Sequence, residues 1–212
     1  MGSIAIIDYG MGNLRSVCKA IEHVGPDAEV HVTSDPAVVK AADRVVFPGQ
    51  GAMPDCMKEL DARGLRPAVL EAAATKAFLG ICIGQQMLFR HSEEGDVPGL
   101  GVLPGEVRRF PSARMVTPVG ERLKVPHMGW NEVRQVVAHP LWEGIPDGDR
   151  FYFVHSYFVE PAQAAVIAAT TDYGLSFTSA VAQDNIFAVQ FHPEKSAHSG
   201  LQLLANFLRW KP

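Results

Sequence analysis

Between residues 3 and 92, short apolar runs of β type alternate with longer segments of helical type. "SIAIID" leads to "NLRSVCKAIEHV", "AEVHVT" to "DPAVVKAA", "RVVFPG" to "MPDCMKELDARG" and "LRPAVLEAAATK", and "AFLGIC" to "GQQMLFRHS". Strands separated by helices cannot pair as hairpins, so this rhythm predicts a parallel sheet with helices on both faces. The runs "IAII" and "VVF" are continuously rather than alternately apolar, as central strands covered on both sides require. From about residue 99 the texture changes to β-rich pieces divided by Pro, Gly and Asp: "LGVLPGEVRRF", "VRQVV", "RFYFVHSYFVE", "AVIAAT", "LSFTSAVA" and "NIFAVQF". They predict a mainly antiparallel β extension of the same sheet. A closing helix, "SGLQLLANFLRW", carries an apolar stripe at Leu201, Leu204, Ala205 and Leu208. No repeat, low-complexity tract or linker interrupts the pattern, so the expected architecture is α/β in a single domain over residues 1–212.

Composition narrows the function classes. A formal charge of -4 with 20% charged and 47% hydrophobic residues gives no general attraction to nucleic acid or to an anionic membrane. No apolar run approaches the ~20 residues that span a bilayer, and "MGSIAIIDYG" lacks the basic and apolar regions of a secretory signal. Three cysteines at unrelated spacings, Cys18, Cys56 and Cys82, make neither a disulfide framework nor a Cys-x-x-Cys metal site, which fits a reducing cytoplasm.

One of the three stands apart. Gly80-Ile81-Cys82-Ile83-Gly84 has the spacing of a nucleophile elbow, in which a strand turns sharply into a helix and small residues on either side let the backbones pass. A cysteine at that apex sits at a helix N-terminus, where unpaired N–H groups and the helix dipole favour a thiolate. Cys18 and Cys56 lie in helical segments without such flanks and read as structural.

A cysteine nucleophile requires a base and a group that orients it. Among eight histidines, His192 in "FAVQFHPEKS" follows an apolar strand and has Glu194 two residues on, the spacing that faces one side of an extended chain. His155 in "FVHSYF" is a rival base without a neighbouring carboxylate; His198 lacks one too, and His23, His31, His91 and His139 read as solvated. His-Pro-Glu is the only close cluster of ligand types, so no metal and no cofactor is expected. Acyl transfer from an amide also requires donors for the developing oxyanion. Pro48-Gly49-Gln50-Gly51 ends another parallel strand with two flexible residues, and its exposed N–H, with that of Ile83, supplies a candidate oxyanion hole.

These residues resemble the class I, triad-type glutamine amidotransferases over essentially the whole chain. Residues 80–86, "GICIGQQ", are similar to the Gly-Ile-Cys-Leu-Gly-x-Gln nucleophile motif, and residues 191–196, "FHPEKS", to the Phe-His-Pro-Glu-x-Ser motif. "KVPHMGWN", "FYFVHSYF", "DYGMGNLRSV" and "PGQGAM" are similar to stretches of the glutaminase subunits of imidazole glycerol phosphate synthases.

The resemblance implies a class I glutamine amidotransferase-like fold and hydrolysis of L-glutamine through a thioester, with Cys82, His192 and Glu194 as the catalytic triad. It also implies Gly49, Gln50, Gly51 and Ile83 around the oxyanion, Gln86, Ser156 and Tyr157 on the amino-acid end of glutamine, and Asn13, Tyr152 and Lys195 at the interface with a cyclase subunit. That partner would take the ammonia, in a heterodimer, to make imidazole glycerol phosphate and aminoimidazole carboxamide ribonucleotide in histidine biosynthesis. Gln50 stands where members often carry valine and Ile83 where leucine is usual; neither change removes a backbone N–H. The alternatives are the glutaminase subunit of another amidotransferase and a catalytically silent binding subunit with a structural cysteine.

Overall fold

The computed structural model describes residues 2–117 and 119–212. Its first half follows the alternation: β1 (Ser3–Ile7), α1 (Leu14–Val24), β2 (Glu29–Thr33), α2 (Pro36–Ala41), β3 (Arg44–Gly49), α3 (Met53–Ala62), α4 (Arg66–Thr75) and β4 (Ala77–Cys82), which runs into a one-turn α5 (Ile83–Gln86). The second half contributes β5 (His91–Ser92), β6 (Val97–Pro98), β7 (Gly105–Arg109), β8 (His127–Glu132), β9 (Arg134–Gln135), β10 (Arg150–His155), β11 (Tyr157–Pro161), β12 (Ile167–Asp172), β13 (Ser176–Gln183) and β14 (Ile186–Val189). After a 3₁₀ turn at Pro193–Lys195, α6 (Ala197–Arg209) closes the chain.

The main sheet has the order β2-β1-β3-β4-β14-β13-β11-β7-β5-β6, with β12 and β9 joined to it through β13. Five strands, β2, β1, β3, β4 and β14, are mutually parallel, and β4 lies between β3 and β14. Beyond β14 the pairing turns antiparallel. Every residue of β4 and β14 is buried, as their continuous hydrophobicity requires. Burial of these apolar side chains on both faces drives the layering; Phe47, Phe78 and Phe187 are fully enclosed.

Three expectations need correction. The run "GQQMLFRHS" is not a full helix: α5 stops at Gln86, because Met87, Leu88 and Phe89 are all buried and leave no polar face for a surface helix. "RFYFVHSYF" is not one strand but two, broken at Ser156: β10 pairs with β8 in a separate two-stranded sheet, while β11 joins the main sheet. The extension of the main sheet is mainly antiparallel, as expected, with β5 and β7 as its parallel pair. The buried face of α6 is Leu203, Leu204, Phe207 and Leu208, whereas Leu201 and Ala205 lie at its margin. Among the described residues no helix is long and apolar enough to cross a membrane.

Candidate active site

At the end of β4 the chain does turn as an elbow. Cys82 has φ 56° and ψ -114°, a left-handed conformation that costs a non-glycine residue about 1–3 kcal/mol and persists only where the surroundings enforce it. The flanking glycines show how they do so. A Cβ on Gly84 would lie 1.8 Å from the carbonyl oxygen of Phe47, and one on Gly80 would lie 2.9 Å from the Cβ of Ala188. Both neighbouring strands therefore approach the elbow to a distance only glycine permits. Gln85 fastens the turn to the sheet by donating its side-chain amide to the carbonyl of Ala188 at 3.1 Å. With only one turn in α5, however, few peptide dipoles align behind the sulfur, and the helix contributes less to a thiolate than a long helix would.

The elbow opens into a pocket of about 310 Å³ lined by Gln50, Gly51, Cys82, Ile83, Gln86, Glu94, Pro126, Val154, His155, Ser156, Tyr157 and His192. Cys82 and His192 meet there because β4 and β14 are parallel neighbours whose C-terminal ends emerge side by side. His192 is buried, and its Nδ1 lies 2.9 Å from Oε1 of the equally buried Glu194. The contact runs across the 3₁₀ turn rather than along extended chain, so the turn, not strand periodicity, brings i and i+2 together. Nε2 is left without a hydrogen-bond partner in the pocket wall. Burial alone would lower the basicity of this imidazole, but the Cys82 sulfur and then Glu194 more than offset it and push the pKa up to about 10. His192 is thus held charged, its proton on the side facing the pocket.

The backbone of His192 is tied to the outer hairpin. Its N–H donates to the carbonyl of Tyr152 at 2.9 Å, the N–H of Tyr152 donates to Oγ of Ser196 at 3.0 Å, and that hydroxyl donates back to the carbonyl of His192 at 2.6 Å.

Of the four residues expected around an oxyanion, Gln50, Gly51 and Ile83 line the pocket. Gly49 lies behind it, opposite Cys82 in the β3–β4 register, where a Cβ would meet Ile83 and Tyr9 at 2.7 Å. Gly51 has φ 108°, a turn that favours glycine. Two buried side chains secure this loop from within: Tyr9 donates its hydroxyl to the carbonyl of Pro48 at 2.8 Å, and the Cys56 thiol donates to that of Gln50 at 3.5 Å. Burial pushes the Cys56 thiol up to about 11, so it stays a protonated donor. The third cysteine, Cys18, is half-buried on α1.

Gln86, Ser156 and Tyr157 share one wall of the pocket. Nε2 of Gln86 donates to the carbonyl of Tyr157 at 3.1 Å and to Oε1 of Gln190 at 2.9 Å, which leaves Oε1 of Gln86 buried and unpartnered. Tyr152 packs edge-on against Trp130, with Nζ of Lys195 6.0 Å from its ring centre. Asn13 caps α1 without a side-chain bond, and α1 packs on the turn that carries Lys195.

Sequence reasoning passed over Glu94 in the pocket and Gln190 beside the nucleophile. Glu94 presents a carboxylate whose pKa burial raises, while one oxygen accepts the N–H of Met53 at 2.8 Å. His155, set aside as a rival base, has both nitrogens engaged, and Gln190 reaches the nucleophile from a residue just past β14. His139 is not solvated: it packs tilted against Phe187 and edge-on against Trp210, and burial lowers its pKa to about 4. Among the described residues no three His, Cys, Asp or Glu side chains converge as metal ligands would.

A buried cysteine on a strained elbow, an imidazole steadied by a carboxylate, and a loop of glycines beside them are the parts of a candidate site for acyl transfer through a cysteine nucleophile. The chain belongs to the class-I glutamine amidotransferase family, whose model, described as "Glutamine amidotransferase class-I", matches residues 5–210. It is 74% identical over 212 residues to the "Imidazole glycerol phosphate synthase subunit HisH" of Aromatoleum aromaticum, covering 100% of both chains. It is 70% identical to the subunit of the same name from Dechloromonas aromatica, over 99% of this chain and 97% of that one. Solved structures share the fold at low identity: the "Structure of PurLQS from Thermotoga maritima" matches with a TM-score of 0.72 at 17% identity, over 99% of each chain. A structure described as "Crystal structure of glutamine amidotransferase" matches with 0.71 at 19%, over 97% of each.

Proposed function

We propose that residues 1–212 form one glutamine amidotransferase domain that hydrolyses L-glutamine to glutamate and hands the ammonia to a cyclase subunit of imidazole glycerol phosphate synthase, in a cytoplasmic heterodimer. The observation that carries the chemistry is the placing of Cys82 and the proton-bearing face of His192 in one pocket, with Glu194 fixing the imidazole from behind. The Cys82 sulfur attacks the carboxamide carbon, and the oxygen takes up negative charge beside the backbone N–H groups of the Gln50–Gly51 loop and Ile83. His192 gives its Nε2 proton to the nitrogen, the C–N bond breaks, and ammonia leaves a glutamyl thioester on Cys82. Water, losing a proton to His192, then cleaves the thioester to glutamate and restores the thiol.

Substrate recognition follows from what the walls leave unpaired. A free amino acid brings an ammonium group, which requires acceptors; the unpartnered Oε1 of Gln86 and the Glu94 carboxylate supply them. Ser156 and Tyr157, at the break between β10 and β11, offer the backbone edge for the carboxylate end.

The partner surface is read from the outer hairpin. Met128 and Trp130 on β8 are 62% and 49% exposed, and Trp130 continues into Tyr152 and Lys195. An apolar and aromatic face with a cation at its rim is the make-up of an interface centre, and Asn13 lies at the start of the helix packed on the Lys195 turn. The similarity to subunits of imidazole glycerol phosphate synthase supports a cyclase of that enzyme as the partner.

The deciding experiment has two arms. A glutamine-like electrophile, diazo-oxo-norleucine, is expected to modify Cys82 and leave Cys18 and Cys56 unmodified by mass spectrometry. Ammonia release is expected to be slow for the isolated chain and to rise at least tenfold with the ligand-loaded cyclase. No adduct on the folded protein would refute the hydrolase, and equal turnover with and without the cyclase would refute the dependence.

A further inference from the structure

The backbone carbonyl of Tyr157 lies in the middle of a line of buried polar groups, and a carbonyl can only accept. On one side it faces Nδ1 of His155 at 2.7 Å, so Nδ1 carries the proton and Nε2 of that ring is an acceptor. Nδ1 of His127 lies 2.9 Å from this Nε2 and must donate to it, which leaves Nε2 of His127 to accept from the side-chain amide of Asn131 at 3.3 Å. On the other side the carbonyl takes a proton from Nε2 of Gln86, whose second hydrogen goes to Oε1 of Gln190. The oxygen of Gln190 is thereby committed, and its amide nitrogen is turned to the sulfur of Cys82 at 3.7 Å. Every direction in the line follows from one group that has no proton to give.

We propose that Gln190 belongs to the catalytic machinery: its side-chain N–H holds the Cys82 sulfur in place and stabilises the negative charge it carries in attack. The line through Gln86, Tyr157, His155 and His127 keeps that N–H from turning away. The inference rests on the reading of Cys82 as the nucleophile of an amide hydrolase. An amide N–H gains strength when its acceptor is charged, and Gln190 is fully buried, where no water competes for the bond. Its own backbone is anchored, since its N–H donates to the carbonyl of Ser179 at 2.9 Å. The ionisable groups that act on the same sulfur are His192, Tyr9 and Cys56, and Glu94 lines the pocket. Tyr9 and Cys56 are uncharged donors too, but their protons go to the carbonyls of Pro48 and Gln50, so none of these groups takes the place of Gln190 at the sulfur. Both histidines in the line are held neutral by burial, as their acceptor roles demand.

The test compares Gln190→Met, which keeps the volume and loses both polar atoms, with Gln190→Glu, which keeps the length and the acceptor for Gln86 but loses the donor to sulfur. The rate of Cys82 alkylation by iodoacetamide at pH 7, followed by mass spectrometry, is read beside kcat and KM for glutamine in the complex with the cyclase. Both substitutions are expected to slow alkylation about tenfold, Gln190→Glu at least as much as Gln190→Met, with kcat falling in parallel and KM moving less than about threefold. If Gln190 only fills space or props Gln86, Gln190→Glu alkylates at the wild-type rate, and that result overturns the proposal. Should neither variant fold, His127→Phe decides. It keeps a ring stacked against Phe153 and Tyr173 and removes the donor to His155. Alkylation slowed about threefold supports the line, and an unchanged rate overturns it. Iodoacetamide needs no glutamine chemistry, so a wild-type protein that alkylates but releases no ammonia would sink the functional reading while leaving the donor role of Gln190 measurable.

Discussion

His192 and His155 line the same pocket and are both buried, yet their surroundings drive them to opposite charge states. His155 is surrounded by Phe110, Phe153 and Phe177; burial lowers its pKa to about 3, and its Nδ1–H spends itself on a backbone carbonyl. His127, its neighbour in the line, is lowered to about 4 for the same reason. His192 suffers the same desolvation, but a buried carboxylate on one side and a sulfur on the other reverse the outcome. Burial sets the cost of charging an imidazole, and the partners decide whether that cost is met. One pocket therefore holds a proton donor for chemistry and a fixed neutral strut.

Removing the carboxylate is the sharpest way to break this contrast. Glu194→Gln leaves the shape of the turn but gives Nδ1 of His192 an uncharged neighbour, so the ring is expected to drift towards the neutral state of His155. Ammonia release from the complex should fall by about 10³-fold, with KM for glutamine little changed, since the lost interaction serves the transition state. A loss below tenfold would mean that His192 and His155 are not set apart by Glu194.

The elbow and the outer hairpin form a second contrast, in how much each tolerates an added methyl group. On Gly84 a Cβ would lie 1.8 Å from the Phe47 carbonyl, while on Gly129, at φ 134°, nothing lies within 4 Å. Gly84→Ala is expected to cost about 3 kcal/mol or more, or to prevent folding, and Gly129→Ala about 1 kcal/mol from backbone strain alone. Chemical denaturation of the two variants measures the difference, and equal costs would show that the elbow is not held by close backbone approach.

The histidine contrast also has opposite signatures against pH. His127 and His155 are depressed in the folded chain, so the unfolded chain binds protons first: their contribution to stability is present above about pH 6.5 and is lost as pH falls towards 4 and 3. The raised group, His192, contributes below about pH 6.5 and loses its contribution as pH rises through its folded pKa near 10. His127→Phe should therefore flatten the acid side of the stability profile by about 1–2 kcal/mol at pH 5 and leave the alkaline side unchanged. Thermal melting across pH would show it.

The parallel half was legible because a strand buried on both faces writes itself as a continuous apolar run, and the Gly-x-Cys-x-Gly spacing because only glycine fits at 80 and 84. The break at Ser156 was not, since no Gly or Pro marks the point where the chain leaves one sheet for another. Gln190 and Glu94 were missed because each takes its role from groups remote in sequence, and a lone Gln or Glu carries no pattern; His155 was weighed only as a rival base, and its strut role rests on His127 and the Tyr157 carbonyl. The oxyanion loop could be read from two glycines closing a strand, whereas the substrate and interface residues came from family resemblance; the folded chain adds that Gly49 packs behind the pocket while Gln50 and Gly51 line it.

The smallest effect concerns the loop that faces the oxyanion. Tyr9 is fully buried, and burial first, then the neighbouring cysteines, raise its hydroxyl well above the ordinary range, so it remains a donor to the Pro48 carbonyl. Tyr9→Phe removes that one oxygen and keeps the ring packed on Phe47. A neutral hydrogen bond is worth about 1 kcal/mol net, so stability should fall by about that much and kcat by about fivefold, with KM held, because a loosened loop misplaces donors that act only on the developing charge. If the loop were fixed by its backbone alone, Tyr9→Phe would lose stability without losing kcat, and the hydroxyl would then be a packing detail.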